Sequence, residues 1–182
     1  MSLRRLFSGV AAAVLLSTAG IAPAQAQSAA PEPEIQKFGT WSTRCDENEN
    51  GSKRCHAFVG VAGGEEKQRL LYLGVGYGPQ DSDGDGQNEL FLFAITPLGT
   101  FLPTGIGWSV DGKENFSQQF MFCIPGGCQT EILLSEERLN AMKNGSQMEV
   151  VFRLVGQGDV KIPVKLDGIT KAISAVPVPK KS

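Results

Sequence analysis

Histidine is almost missing from this chain: His56 is the single one in 182 residues. With one imidazole and no Gly-x-Ser-x-Gly elbow, few of the parts from which nucleophile and base catalysis is assembled are present. Basic clusters are missing too, outside the short Lys180-Lys181 tail. That removes the electrostatic footprint required by nucleic acid or an anionic membrane surface. No apolar run approaches the ~20 residues that a spanning helix needs. The stretch from Val10 to Leu16 fades toward Ile21 and is broken by Ser17, Thr18, Gly20 and Pro23. Cysteines at the tight spacing of zinc knuckles or thioredoxin-like redox pairs are absent, and no internal repeat is visible.

The N-terminus pairs Arg4 and Arg5 with that short apolar run and with Ala24-Gln25-Ala26, the pattern of a secretory signal peptide over residues 1–26 with cleavage after Ala26. No cysteine follows the site, which argues against a lipoprotein. Loss of Arg4 and Arg5 takes Lys+Arg from 17 to 15 against 19 Asp+Glu, leaving an exported chain of net charge −4 without a transmembrane span. Residues 27–36 carry Pro, Ala and acids and read as a disordered lead-in; residues 176–182 read as a flexible tail. Between them, 37–175 is long enough for one well-filled domain.

Strand signals dominate that domain. In QMEVVFRLVGQGDVKIPVKL, Met148, Val150, Phe152 and Leu154 share a face, as do Val160, Ile162, Val164 and Leu166, with Gly156-Gln157-Gly158 between them. This predicts a β-hairpin with one buried face. Further runs at 38–45, 55–61, 69–77, 89–96, 106–112, 116–123 and 128–134, punctuated by Gly, Pro, Asn and Asp, predict an all-β sandwich. One helix is expected after Ser135, an N-cap followed by Glu136 and Glu137, with Leu139 and Met142 as its apolar stripe and Asn144-Gly145 as its stop. A second short helical turn is expected at 167–175. Trp41 and Trp108 read as core anchors, and Gly74, Gly76 and Gly78 as places of close backbone packing.

Four cysteines remain in a chain bound for an oxidising compartment, so disulfides are expected. Three pairings are possible. The local ones, Cys45 with Cys55 and Cys123 with Cys128, close short turn-rich loops and would contribute roughly 3 and 2 kcal/mol by loop entropy. Cys55 and His56, being adjacent on a strand, point to opposite faces and do not converge on a metal.

The stretch DSDGDGQNEL carries the densest chemistry. Asp81, Asp83 and Asp85 stand at positions one, three and five of a calcium loop, Gly86 at the bend, Gln87 at the carbonyl position and Glu89 at position nine. Position twelve, where a bidentate Glu belongs, is Leu92, so the alternative is a solvated acidic turn between strands.

Several segments in order resemble the invasion-associated locus B family of exported bacterial proteins: Phe38-Gly39-Thr40-Trp41 with Cys45 and Cys55, Pro97-Leu98-Gly99 with Leu102-Pro103-x-Gly105, Val110-Asp111-Gly112, Phe122-Cys123-x4-Cys128, and Leu166-Asp167-Gly168 to Ala172. The resemblance implies an immunoglobulin-like β-sandwich with both local disulfides, placed in the periplasm or at the cell surface of a Gram-negative bacterium. It implies no catalytic residues. The resulting expectation is a non-catalytic interaction module with an unidentified protein or envelope partner. The rival readings are a calcium-regulated binding protein and a small periplasmic enzyme using His56.

If Asp81, Asp83, Asp85, Gln87 and Glu89 cage calcium, millimolar calcium raises the melting temperature, magnesium does so less, and Asp83→Asn with Asp85→Asn abolishes the effect. At ten times the dissociation constant the gain is about 1.4 kcal/mol. A melting scan unmoved by about 10 mM calcium decides for the plain turn.

Overall fold

Alternation of side chains along a strand lets one sheet bury every second residue, and the molecule uses this in two antiparallel sheets laid over one core. The computed structural model describes residues 32–47, 51–63, 67–78 and 88–179. Asp81, Asp83, Asp85 and Gln87 lie outside the described residues.

The larger sheet has seven strands: β1 (Glu34–Phe38), β2 (Trp41–Glu47), β3 (Lys53–Gly63), β4 (Gln68–Tyr77), β5 (Leu90–Thr96), β8 (Phe122–Ile124) and β9 (Gly127–Leu133), ordered β1-β2-β3-β4-β5-β9-β8. The smaller sheet holds β6 (Ile106–Val110), β7 (Glu114–Gln118), β10 (Gln147–Leu154) and β11 (Gly158–Lys165), ordered β11-β10-β6-β7. The β10–β11 hairpin forms as expected, with Val150 opposite Ile162 and Leu154 opposite Gly158. Thr43, Ala57, Val75 and Leu92 form one inward row of the large sheet, Val59, Leu73 and Ala94 another. They meet Ile106, Trp108, Met148, Val150 and Phe152 from the small sheet in a single hydrophobic core. Trp41 and Trp108 both lie inside it, as expected.

Two helices close the ends. Helix α1 (Glu136–Asn144) starts where Ser135 Oγ accepts a hydrogen bond from the Arg138 amide at 3.3 Å, and buries Met142. Helix α2 (Ile169–Ser174) buries Ile169, Ala172 and Ile173 and packs on β1, β2 and β3, a part of the large sheet.

Four boundaries differ from expectation. Residues 116–123 are not one strand, since β7 ends at Gln118 in the small sheet and β8 begins at Phe122 in the large one, so the chain crosses between sheets there. Residues 38–45 are not one strand: Phe38 ends β1, and Gly39 at φ 63° begins the turn into β2. Residues 34–36, expected in the disordered lead-in, are paired with Thr43–Cys45. An edge strand needs backbone partners more than apolar side chains, and Glu34 also faces Lys53 Nζ at 3.6 Å. At the other end, Val176 is in the core rather than in a flexible tail, and the Pro179 carbonyl accepts from Asn88 Nδ2 at 2.9 Å. Pairing and docking supplied an order that local composition does not carry.

Both disulfides form as the local pairing, each across directly opposed residues: Cys45 with Cys55 on β2 and β3, Cys123 with Cys128 on β8 and β9.

Gly168 stands at φ 88° with the Phe38 carbonyl oxygen where its Cβ would be, whereas Gly156, at φ 78°, faces open space. Gly168→Ala should therefore cost at least about 3 kcal/mol in urea unfolding, and Gly156→Ala only about 1 kcal/mol. Equal losses would refute a tight contact at Gly168.

Candidate functional site: the outer face of the large sheet

Strand β5 reads Leu90-Phe-Leu-Phe-Ala-Ile-Thr96, apolar at both parities, so its second face is greasy as well. Leu92, Ala94 and Thr96 point into the core, which leaves Phe91, Phe93 and Ile95 on the far side of the sheet. The register extends this across the strands. Ile35, Arg44, His56, Gly76, Phe91 and Leu133 form one outer row. Lys37, Ser42, Phe58, Gly74, Phe93 and Glu131 form the next. Gly60, Tyr72, Ile95, Gln129 and Phe122 form a third.

At the middle of these rows, glycine makes room for rings. The Phe93 ring occupies the place a Cβ on Gly74 would take, Phe91 covers Gly78, and the His56 Cβ lies above Gly76. The glycine trio is thus a site of close packing, as its spacing suggested. Phe58 and Tyr72 stack at 5.3 Å with an interplanar angle of 13°. His56 meets Phe93 edge-on at 5.3 Å and Tyr72 edge-on at 6.0 Å. Arg69 stands 5.8 Å from the Tyr72 ring centroid, within cation–π reach. Beside the cluster, Arg44 grips Asp46 through Nε and Nη2 at 2.7 to 3.0 Å.

His56 Nε2 lies 2.7 Å from Tyr72 Oη. Burial pushes the imidazole below its ordinary value, against the pull of Asp46, with Arg44 adding to the depression. Burial likewise raises the Tyr72 phenol to about 12. The two shifts fit a neutral pair in which the phenol donates to an unprotonated Nε2. The pair fixes the positions of the two rings relative to each other.

The face grows more exposed toward the β8 edge. Phe122 is 44% exposed, Ile124 53% and Leu133 42%, beside Met121 at 58%. Sequence reading placed His56 on a strand but missed this array, because its rings come from β3, β4 and β5 and meet only through register. The signal within reach was the double-parity run in β5. Of the acidic residues expected to hold calcium, Glu89 alone is described; its carbonyl accepts from the Gly78 amide at 2.9 Å, joining the roots of the connection between β4 and β5. Among the described residues no group of three or more His, Cys, Asp or Glu is arranged to hold a metal ion.

The family profile described as invasion associated locus B (IalB) protein matches residues 41–177. The chain belongs to this family. The IalB assignment agrees with a solved structure, the crystal structure of invasion associated protein b from Bartonella henselae. That structure is similar at a TM-score of 0.62 and 18% identity, over 78% of this chain and 92% of that one. At such identity the likeness concerns the fold. No curated protein matches the chain. With two disulfides, this IalB-family chain suits an oxidising, extracytoplasmic setting. No helix among the described residues is long and apolar enough to cross a membrane.

His56 supplies a pH test. Because its folded pKa is lowered, its contribution to stability is present above the unfolded value of 6.5 and is lost as pH falls through the folded value. Tyr72 acts oppositely: its contribution is present below 10.0 and is lost as pH rises through about 12. Chemical denaturation across pH should show both declines. His56→Gln should flatten the acid limb near neutrality, and Tyr72→Phe the alkaline one. Unchanged limbs would contradict a buried neutral pair.

Proposed function

We propose that this IalB-family protein is exported through the signal peptide at residues 1–26 and works in the periplasm or at the cell surface by binding, without catalysis. Its contact surface is the outer face of the large sheet, and its partner is a protein of the envelope or of a host cell. The observation that carries this reading is the aromatic array of Phe58, Tyr72 and Phe93, on the same face of the sheet as the exposed Phe122, Ile124 and Leu133.

The physical reasoning is one of cost. A soluble acidic chain that keeps apolar rings on the solvent side of a sheet carries an aggregation liability, and contiguous patches of this kind mark association sites. Aromatic anchors in such patches supply most of the energy of an interface. Association with host cells is one use of this surface, in keeping with the Bartonella protein named as invasion associated. A dependence on calcium through residues 81–89 would add regulation to the same binding role.

A pull-down from native envelope with residues 27–182 tests the reading. Phe122→Ser with Leu133→Ser removes two exposed side chains and should leave the melting temperature within a few degrees while lowering partner affinity at least about tenfold. Capture that persists in the double variant would rule out this face.

A further inference from the structure

A second feature lies away from the aromatic array. Where the β1–β2 turn, the end of α1 and the start of α2 converge there is a cleft of about 720 Å³, in the size range of small-molecule sites. Three lysines are among the residues that line it, Lys37 on β1, Lys143 at the last turn of α1 and Lys171 in α2. One carboxylate, Asp167, lines it with them. The local balance is therefore +2, in a chain whose whole net charge is −2.

The surrounding contacts hold together the backbone segments that carry these lysines. Thr170 Oγ1 donates to the Lys143 carbonyl at 3.3 Å and so ties the end of α1 to α2. The Thr40 amide donates to the Asp167 carbonyl at 3.1 Å, which brings the strand bearing Lys37 alongside. Glycines at 39, 145 and 168 line the cleft and leave backbone rather than side chains there. Among the described residues, none of the three lysines forms an ion pair; the pairs present engage other groups. Three like charges gathered from three elements repel one another, and Asp167 compensates only one.

We propose that this cleft binds a small phosphorylated ligand. Lysine ammonium groups act as mobile point charges on phosphate oxygens. The volume exceeds that of phosphate alone, so an organic body has room beside the half-buried Phe38. A long polyanion is disfavoured, because the acidic chain as a whole repels it. The phosphate group has two chemical sources, a soluble phosphomonoester or diphosphate and a phosphomonoester lipid headgroup. The site and its lysines serve either.

Titration of the mature chain with inorganic pyrophosphate, followed by amide shifts and calorimetry, tests the site. Saturable one-to-one binding is expected, with shifts gathered at Gly39, Gly145 and Gly168. Lys143→Gln with Lys171→Gln should weaken it at least about tenfold. Asp167→Asn should strengthen it severalfold by removing the opposing charge. Lys53→Gln with Lys161→Gln, an equal change of net charge elsewhere, should leave it unchanged. Flotation with phosphatidylcholine vesicles containing phosphatidic acid separates the sources: lysine-dependent flotation assigns the lipid, and pyrophosphate binding without flotation assigns a soluble ligand. No saturable binding in either arm overturns the proposal, as does binding that the control pair weakens as much as the cleft pair. These readings are independent of the pull-down, since no substitution touches the aromatic face.

Discussion

The structure depends on a seam that joins its first hairpin to its last helix. Trp41, fully buried, donates its indole N–H to the Lys165 carbonyl at 2.9 Å, and Thr43 Oγ1 donates to the Ala172 carbonyl at 3.1 Å. The turns on either side interlock through two glycines, Gly39 against Asp167 and Gly168 against the Phe38 carbonyl. These contacts span more than a hundred residues of chain and therefore fix its two ends to each other. Without them α2 would leave its place over β1, β2 and β3, and the core below Trp41 would open to water. The lysine cleft is a by-product of the same seam, since its walls are the elements that the seam brings together.

A second constraint follows from the large sheet having two apolar faces. The inner one is covered by the small sheet and α2. The outer one has no second sheet among the described residues, and the protein manages it with glycine, with ring-on-ring packing and with a neutral His56–Tyr72 pair. Sheet glycines that accept a neighbour's ring let Phe91 and Phe93 lie flat, which reduces the area they present to water. The reduction is incomplete at the β8 edge, where apolar side chains stand free of such shelter. Desolvation drives both titratable groups of this surface, His56 and Tyr72, toward their neutral forms.

The segments that carry the family resemblance are scaffold pieces. Val110-Asp111-Gly112 is the β6–β7 turn, where the Asp111 carboxylate accepts from the Ser146 and Gln147 amides at 2.9 and 3.0 Å and is held below the usual carboxylate range by them. Pro97 to Gly105 is a loop in which Thr100 Oγ1 donates to the Pro97 carbonyl and the Phe101 amide to the Arg153 carbonyl, both at 2.8 Å. Phe122-Cys123-x4-Cys128 is the disulfide-closed β8–β9 hairpin. A motif made of turns and joints identifies a fold without naming a reaction, and this is why the family could be read from residues while the activity could not.

Local chemistry alone determined a good deal here: period-two runs made the strands, Ser135 with Glu136 and Glu137 opened α1, and cysteines separated by short loops paired across them. Those features depend on residues near one another in the chain, so their energetics are written locally. The pairing of Glu34–Gln36, the burial of Val176, the aromatic rows across β3, β4 and β5, and the meeting of Lys37 with Lys143 and Lys171 belong to the tertiary structure. Each needs register or docking between segments tens of residues apart, and a side chain's face is set only when its strand has found its neighbour.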